Sequence, residues 1–199
     1  MPNDTGRKPR QAMERIAGIA TGLASSGIGI ITRRVTGDCL VSVTALTSRG
    51  QRGDGLAERA TRIAGLAEAI DRAAGPVALA VIEVPSRGGK GGFPMDHHHL
   101  WWLVVARLVG RGVPVAVCAA VTRARFATGN ERADKAAMSG AVARLWPGVE
   151  ITHSDVADAV ALAHAGAVRL GWPVSILSCH RDALAGIRWP VDLAASAVA

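Results

Sequence analysis

A chain of 199 residues, 49% of them hydrophobic, suits one domain with a full core, and its apolar runs are broken by Gly, Arg or His well before they could cross a bilayer. Three cysteines, Cys39, Cys118 and Cys179, are too widely spaced for a disulfide frame or a zinc site and read as reduced thiols. The net charge of +7 rests mostly on arginine, which favours phosphate contacts and makes nucleic acid a natural partner, although an arginine-rich genome produces the same bias.

Residues 1–14 read as a flexible basic lead-in without the apolar core of a signal peptide, so a cytoplasmic location is expected. Residues 15–20 and 27–34 are two short apolar runs joined by a Gly/Ser-rich turn and predict a tight hairpin; residues 40–48, LVSVTALTS, alternate as a third antiparallel strand should. A loop leads into a helix over residues 56–74, whose apolar positions Leu56, Ala60, Ile63, Leu66, Ala67 and Ile70 recur at helical spacing.

Residues 77–85, VALAVIEVP, form an apolar run of the kind buried on both faces of a parallel sheet, with one carboxylate, Glu83, at its C-terminal end. Burying that charge alone is costly, so a cation, a metal or an exposed strand end must accommodate it; a plain strand cap facing water is the simplest of these. The glycine-rich stretch 86–95, SRGGKGGFPM, predicts a loop. Asp96 can cap a largely buried helix over residues 97–110. Its first three residues, His97, His98 and His99, point in different directions on one turn and cannot all bind one metal. Residues 113–121, VPVAVCAAV, predict another buried strand, residues 122–130 a basic loop, and residues 131–145 a helix. A short link or strand over 147–151 precedes a strong helix over 153–170; the segment 172–199 is an apolar tail without assignment. The order implies an α/β fold with a mixed central sheet over residues 15–171.

In that last helix Asp155 and Asp158 share one face near the N-terminus, an arrangement that also suits the helix dipole. With Glu83 they could instead converge on a divalent cation, since hard ions take carboxylate oxygens from several elements. Two such ions about 4 Å apart would support attack of water on a phosphodiester.

Four segments carry a resemblance. GIATGLASSGIGII (residues 18–31) is similar to the first hairpin of RuvC-type Holliday junction resolvases, Gly-Ile-Asp-x-Gly-Leu and a Gly-rich turn; VIEVP resembles their second acidic strand. FATGNERADK (residues 126–135) resembles their basic Gly-x-Gly-x-Ala-Asp-Lys segment, and DVADAVALA their final Asp-x-x-Asp-Ala helix. The segments follow the family's order, and phage and actinobacterial members are the most alike. The resemblance implies an RNase H-like fold with a five-stranded mixed sheet, a homodimer, and nicking of four-way or branched DNA that depends on magnesium, with manganese as a substitute. It assigns Glu83, Asp155 and Asp158 as metal ligands and Lys135 as a stabiliser of developing charge at the scissile phosphate. It places Arg123, Arg125 and Arg132 on DNA phosphates, Arg87 and Lys90 within reach of the junction, and Phe126 and Phe93 as stacking residues. A loop phenylalanine also packs commonly against its own domain, and Lys135 also suits a solvated helix face.

One position departs from the pattern: Ala20 stands where the family carries its first aspartate. The resemblance therefore implies a form that binds junctions and cuts them poorly. Either deliberate replacement or natural loss would produce it, and the persistence of Glu83, Lys135, Asp155 and Asp158 favours the first. A non-catalytic branched-DNA binder, or a related nuclease on another branched nucleic acid, is the alternative.

Overall fold

Five strands form one mixed sheet in the order β3-β2-β1-β4-β5 in this computed structural model, which describes residues 14–85, 94–191 and 193. β1 (Glu14–Ala20), β2 (Ser25–Arg33) and β3 (Cys39–Thr47) run antiparallel, as the alternating apolar pattern and the intervening turns require. β4 (Leu79–Glu83) joins β1 in parallel, with Ile19 opposite Ile82, and β5 (Val115–Cys118) joins β4 in parallel. The two crossovers are helical: α1 (Leu56–Ala74) before β4 and α2 (Pro94–Gly110) before β5. α3 (Ala120–Thr128), α4 (Lys135–Leu145), α5 (Ser154–Arg169) and α6 (Ser178–Leu184) complete the chain.

The period of two along the strands divides the sheet into two cores. Ala17, Ile19, Ile28, Ile30, Ala80 and Ile82 face α1 and α2. Ile16, Ala20, Leu79, Val81, Ala116 and Cys118 face α5 and the C-terminal elements. Helix α5 is buried almost all round because it lies against the centre of the sheet, and three glycines allow the approach. A Cβ on Gly18 would sit 1.9 Å from the backbone oxygen of Ala159, one on Gly27 1.9 Å from that of Asp155, and one on Gly29 2.9 Å from the Val160 Cα. Bare backbone on β1 and β2 thus sets the height of α5 above the sheet.

The expected order of strands and helices holds, with three differences. Residues 122–130 were expected as a loop, yet α3 occupies most of them, starting directly after β5 and ending on Gly129 in the left-handed conformation. Their charged residues hide a short helical face, Ala124 and Ala127 with Phe126, that packs inward. Asp96 does not cap α2, which begins two residues earlier at Pro94; the Asp96 carboxylate instead pairs with both nitrogens of the Arg59 fork, at 2.6 and 2.9 Å. Of the two expectations for residues 147–151, a short strand or a link, the structure has the link. After Gly171, Trp172, Ala183 and Ile187 enter the same core as α5, and Arg188 exchanges two backbone hydrogen bonds with Val117, covering the outer edge of β5.

This C-terminal segment also anchors α3. Phe126 stacks on His180 at 4.3 Å, Trp146 Nε1 donates to His164 Nδ1 at 3.1 Å, and His164 Nε2 donates to the Ser175 carbonyl at 2.8 Å. Burial pushes the pKa of both histidines down to about 4, with the neighbouring His180 adding to the shift at His164. Both rings are neutral in the folded chain and protonate near 6.5 once exposed, so their contribution is complete above that value and is lost as pH falls toward 4. Asp158, raised to about 6, acts in the opposite sense, since its folded form takes a proton first. The melting temperature is expected to drop by about 5 °C between roughly pH 7.5 and pH 5, and by more in Asp158→Asn, where the opposing group is gone. A flat or rising melting temperature in Asp158→Asn would show that the buried pair does not set acid stability.

Candidate active-site cleft

Strand register builds the site. Ala20 and Glu83 each lie one residue beyond the Ile19–Ile82 pair, at neighbouring C-terminal strand ends, and by alternation both face α5. Ala20 pairs with Gly27, against whose Cα the backbone of Asp155 rests, so the first turn of α5 is pinned over the same strand ends. From that turn Asp158 reaches toward Glu83. The position with no carboxylate, the strand glutamate and the aspartate pair are thereby brought to one place, although far apart in the chain.

Between the carboxylates stands a side chain that was expected to touch DNA. Arg123, in the first turn of α3, donates from Nε to Glu83 Oε2 and from Nη1 to Asp158 Oδ1. All three groups are largely buried, with side-chain exposures of 11% for Arg123, 20% for Glu83 and 19% for Asp158. The question raised by a carboxylate at the end of β4 is therefore answered by a guanidinium. This corrects the expectation for Arg123: both of these nitrogens are spent on the protein's own carboxylates, leaving no fork turned to solvent for a phosphate. Burial pushes the Asp158 carboxyl up to about 6 against the pull of Arg123; Glu83 and Asp155 add to the rise, and Lys135 opposes it. Those influences place Asp155 and Lys135 within electrostatic range of the centre. Beneath it, burial and the Glu83 charge push the Cys118 thiol up to about 12, so it is no nucleophile.

The rim is basic. Lys135 is exposed at the start of α4, which Asp134 caps by accepting from the Ala137 N–H at 2.8 Å. Arg125 and Arg132 are also exposed, Arg125 lying 3.4 Å from Glu131. Phe126 is a second correction: it is 1% exposed on the inner face of α3, stacked on His180, and has no free face for a base. Arg87, Lys90 and Phe93 lie outside the described residues, as do residues 1–13. The histidine run divides as its geometry requires: His97 Nε2 donates to the Thr21 carbonyl at 2.7 Å, and His98 Nδ1 donates to the Pro94 carbonyl at 2.8 Å. Neither the role of His97, which ties α2 to the turn after Ala20, nor the bridge made by Arg123 follows from the residue pattern. An arginine preceding an inward-facing Ala-x-Phe-Ala pattern was the one available signal for the second.

The residues present do not fit a divalent ion in this arrangement. Glu83 and Asp158 share one guanidinium, Ala20 offers no oxygen, and among the described residues no group of three or more His, Cys, Asp or Glu stands close enough to hold a metal.

A mixed five-stranded sheet flanked by helices, in the order β3-β2-β1-β4-β5, matches the RNase H-like fold of RuvC. The chain is similar to RuvC from Thermus thermophilus, at 20% identity and a TM-score of 0.59 over 81% of this chain and 99% of that one. It is similar to the same protein in complex with a Holliday junction substrate, at 20% identity and a TM-score of 0.61 over 79% and 96% of the two chains. The yeast mitochondrial Holliday junction resolvase Ydc2 is a more distant match, at 14% identity and a TM-score of 0.51 over 76% of each. No family model and no curated protein matches the chain. No helix among the described residues is long and apolar enough to cross a membrane.

Proposed function

We propose that this chain is a RuvC-type protein directed at four-way or otherwise branched DNA, built around a nuclease centre that cuts poorly as it stands. The observation that carries this is the convergence of position 20, Glu83, Asp155 and Asp158 at the strand ends of a RuvC-like fold, with Lys135 in electrostatic range and Arg125 and Arg132 exposed on α3 and in the turn after it. In this reading the exposed cations hold phosphates, and Lys135 stabilises charge at a phosphate drawn over the cleft. Magnesium-dependent hydrolysis belongs to the centre only once a carboxylate returns to position 20. A homodimer would present two clefts to two symmetry-related strands. The exposed apolar face of α2, where Met95, Trp102 and Val109 recur at heptad spacing, supports that helix as the interface.

A protein that binds junctions without cutting them is the second reading, favoured by the Arg123 bridge. Both are tested by binding a labelled four-way junction and a linear duplex of equal length in competition. The junction is expected to bind at least about tenfold more tightly than the duplex. Three phosphate contacts from the rim imply a loss of roughly 40-fold between about 50 and 200 mM salt, and Arg132→Ala should flatten that slope. Equal affinity for the two DNAs would defeat the junction assignment.

A further inference from the structure

We propose that Arg123 is the resident cation of this cleft: its guanidinium stands in the place of a divalent ion, so that Glu83 and Asp158 are held together, and the cleft is assembled, without metal. The inference rests on the reading of the site as a RuvC-type centre.

The geometry is that of a bridge and not of a passing surface contact. Two different nitrogens of one fork reach two carboxylates on two different elements, β4 and α5, from a third, α3. Each of the three side chains is at most one-fifth exposed, so water does little to screen the two negative charges from each other. A guanidinium is always protonated and directs its hydrogen bonds in a plane, so it can order two carboxylates that lack the further oxygens magnesium demands. The alanine at position 20 matches this arrangement: one positive charge already faces two carboxylates, and a third would deepen the excess of negative charge. Helix α3 is also held in place around Arg123. The Arg123 N–H donates to the Ala119 carbonyl at 2.9 Å, and Ala124, Phe126 and Ala127 are buried immediately after it. The side chain is delivered to the cleft by the core and does not depend on DNA to bring it there.

The test measures manganese binding to the DNA-free protein by electron paramagnetic resonance, together with melting temperature with and without manganese. The unmodified chain is expected to bind manganese no better than Glu83→Gln and to show no rise in melting temperature. Arg123→Gln should melt lower in the absence of metal, bind manganese at least about tenfold more tightly, and recover stability when it is added. Arg123→Lys, which keeps the charge but not the fork, should fall between them, and it serves if the glutamine variant does not fold. Manganese binding by the unmodified chain as tight as that of Arg123→Gln overturns the inference. Junction binding in the chelator EDTA separates the two proposals. Junction preference that survives EDTA supports both, and preference that arises only with manganese overturns the counter-ion role. Absence of preference under every condition defeats the DNA reading and leaves the role of Arg123 standing on the metal measurements.

Discussion

On the proposed function, replacing Ala20 with aspartate is expected to yield a variant that nicks four-way junctions when magnesium or manganese is supplied, where the unmodified chain is expected to bind them and scarcely nick them. Position 20 is next to Glu83 across the β1–β4 pair and opposite Gly27, over which the Asp155 turn lies, so a carboxylate there enters the cleft from the side that now has none. At present two carboxylates share one guanidinium. A third adds to a negative charge that already exceeds the single positive one, and a divalent ion with three carboxylate partners competes well against the arginine. Displaced from the carboxylates, Arg123 is free to face a phosphate. The expected gain in nicking is on the order of 100-fold or more, the scale on which single charged groups act at a reacting centre. Glu83→Gln or Asp158→Asn in the same background should abolish it, because the amide keeps the shape and loses the charge. An Ala20→Asp variant that binds junctions yet stays inert with both metals would leave the binding-only reading as the better one.

The second large effect is on stability. Gly18→Ala and Gly27→Ala should each destabilise the fold by about 3 kcal/mol, at the upper end for overpacking. In a chain of this size that lowers the melting temperature by about 6 to 12 °C. In both cases the added carbon meets backbone of α5 at 1.9 Å, and backbone cannot rotate aside as a side chain can. The helix must lift from the sheet, which carries Asp155 and Asp158 away from Glu83. Gly29→Ala, whose nearest contact is 2.9 Å, should cost less, and Gly65→Ala on α1, with open space around it, should be neutral or stabilising by up to about 1 kcal/mol. A melting temperature for Gly27→Ala equal to that of Gly65→Ala would show that the close approach does not set the position of α5.

Much of this protein was legible in its residues. The hairpin, the third strand and the crossover helix over residues 56–74 followed from local periodicity and turn composition, because each buries one face and the sequence must alternate at the matching period. Glu83 stood out because an ionised group at the end of an apolar strand needs a partner, and Asp158 because its surroundings were otherwise apolar. The short helix α3 was not legible: three inward residues among charged ones look like a loop until a neighbouring element supplies the surface they pack on. The C-terminal segment was opaque for a similar reason, since Trp172, His180 and Ile187 follow no regular period and find their places only against α5 and β5.

By itself the sequence determined the order of strands and helices, the mixed sheet, and which carboxylates were available for a common site; each of these depends on burial periods and charge costs that act over a few residues. Only the tertiary structure decided which cation those carboxylates hold. Arg123 lies forty residues after Glu83 and thirty-five before Asp158, and locally only its place before the Ala124–Ala127 pattern distinguishes it from Arg125. The difference is direction: the packing of Phe126 and its neighbours turns α3 so that Arg123 faces the cleft while Arg125 faces solvent, and that rotation is set by surfaces contributed from α5 and α6.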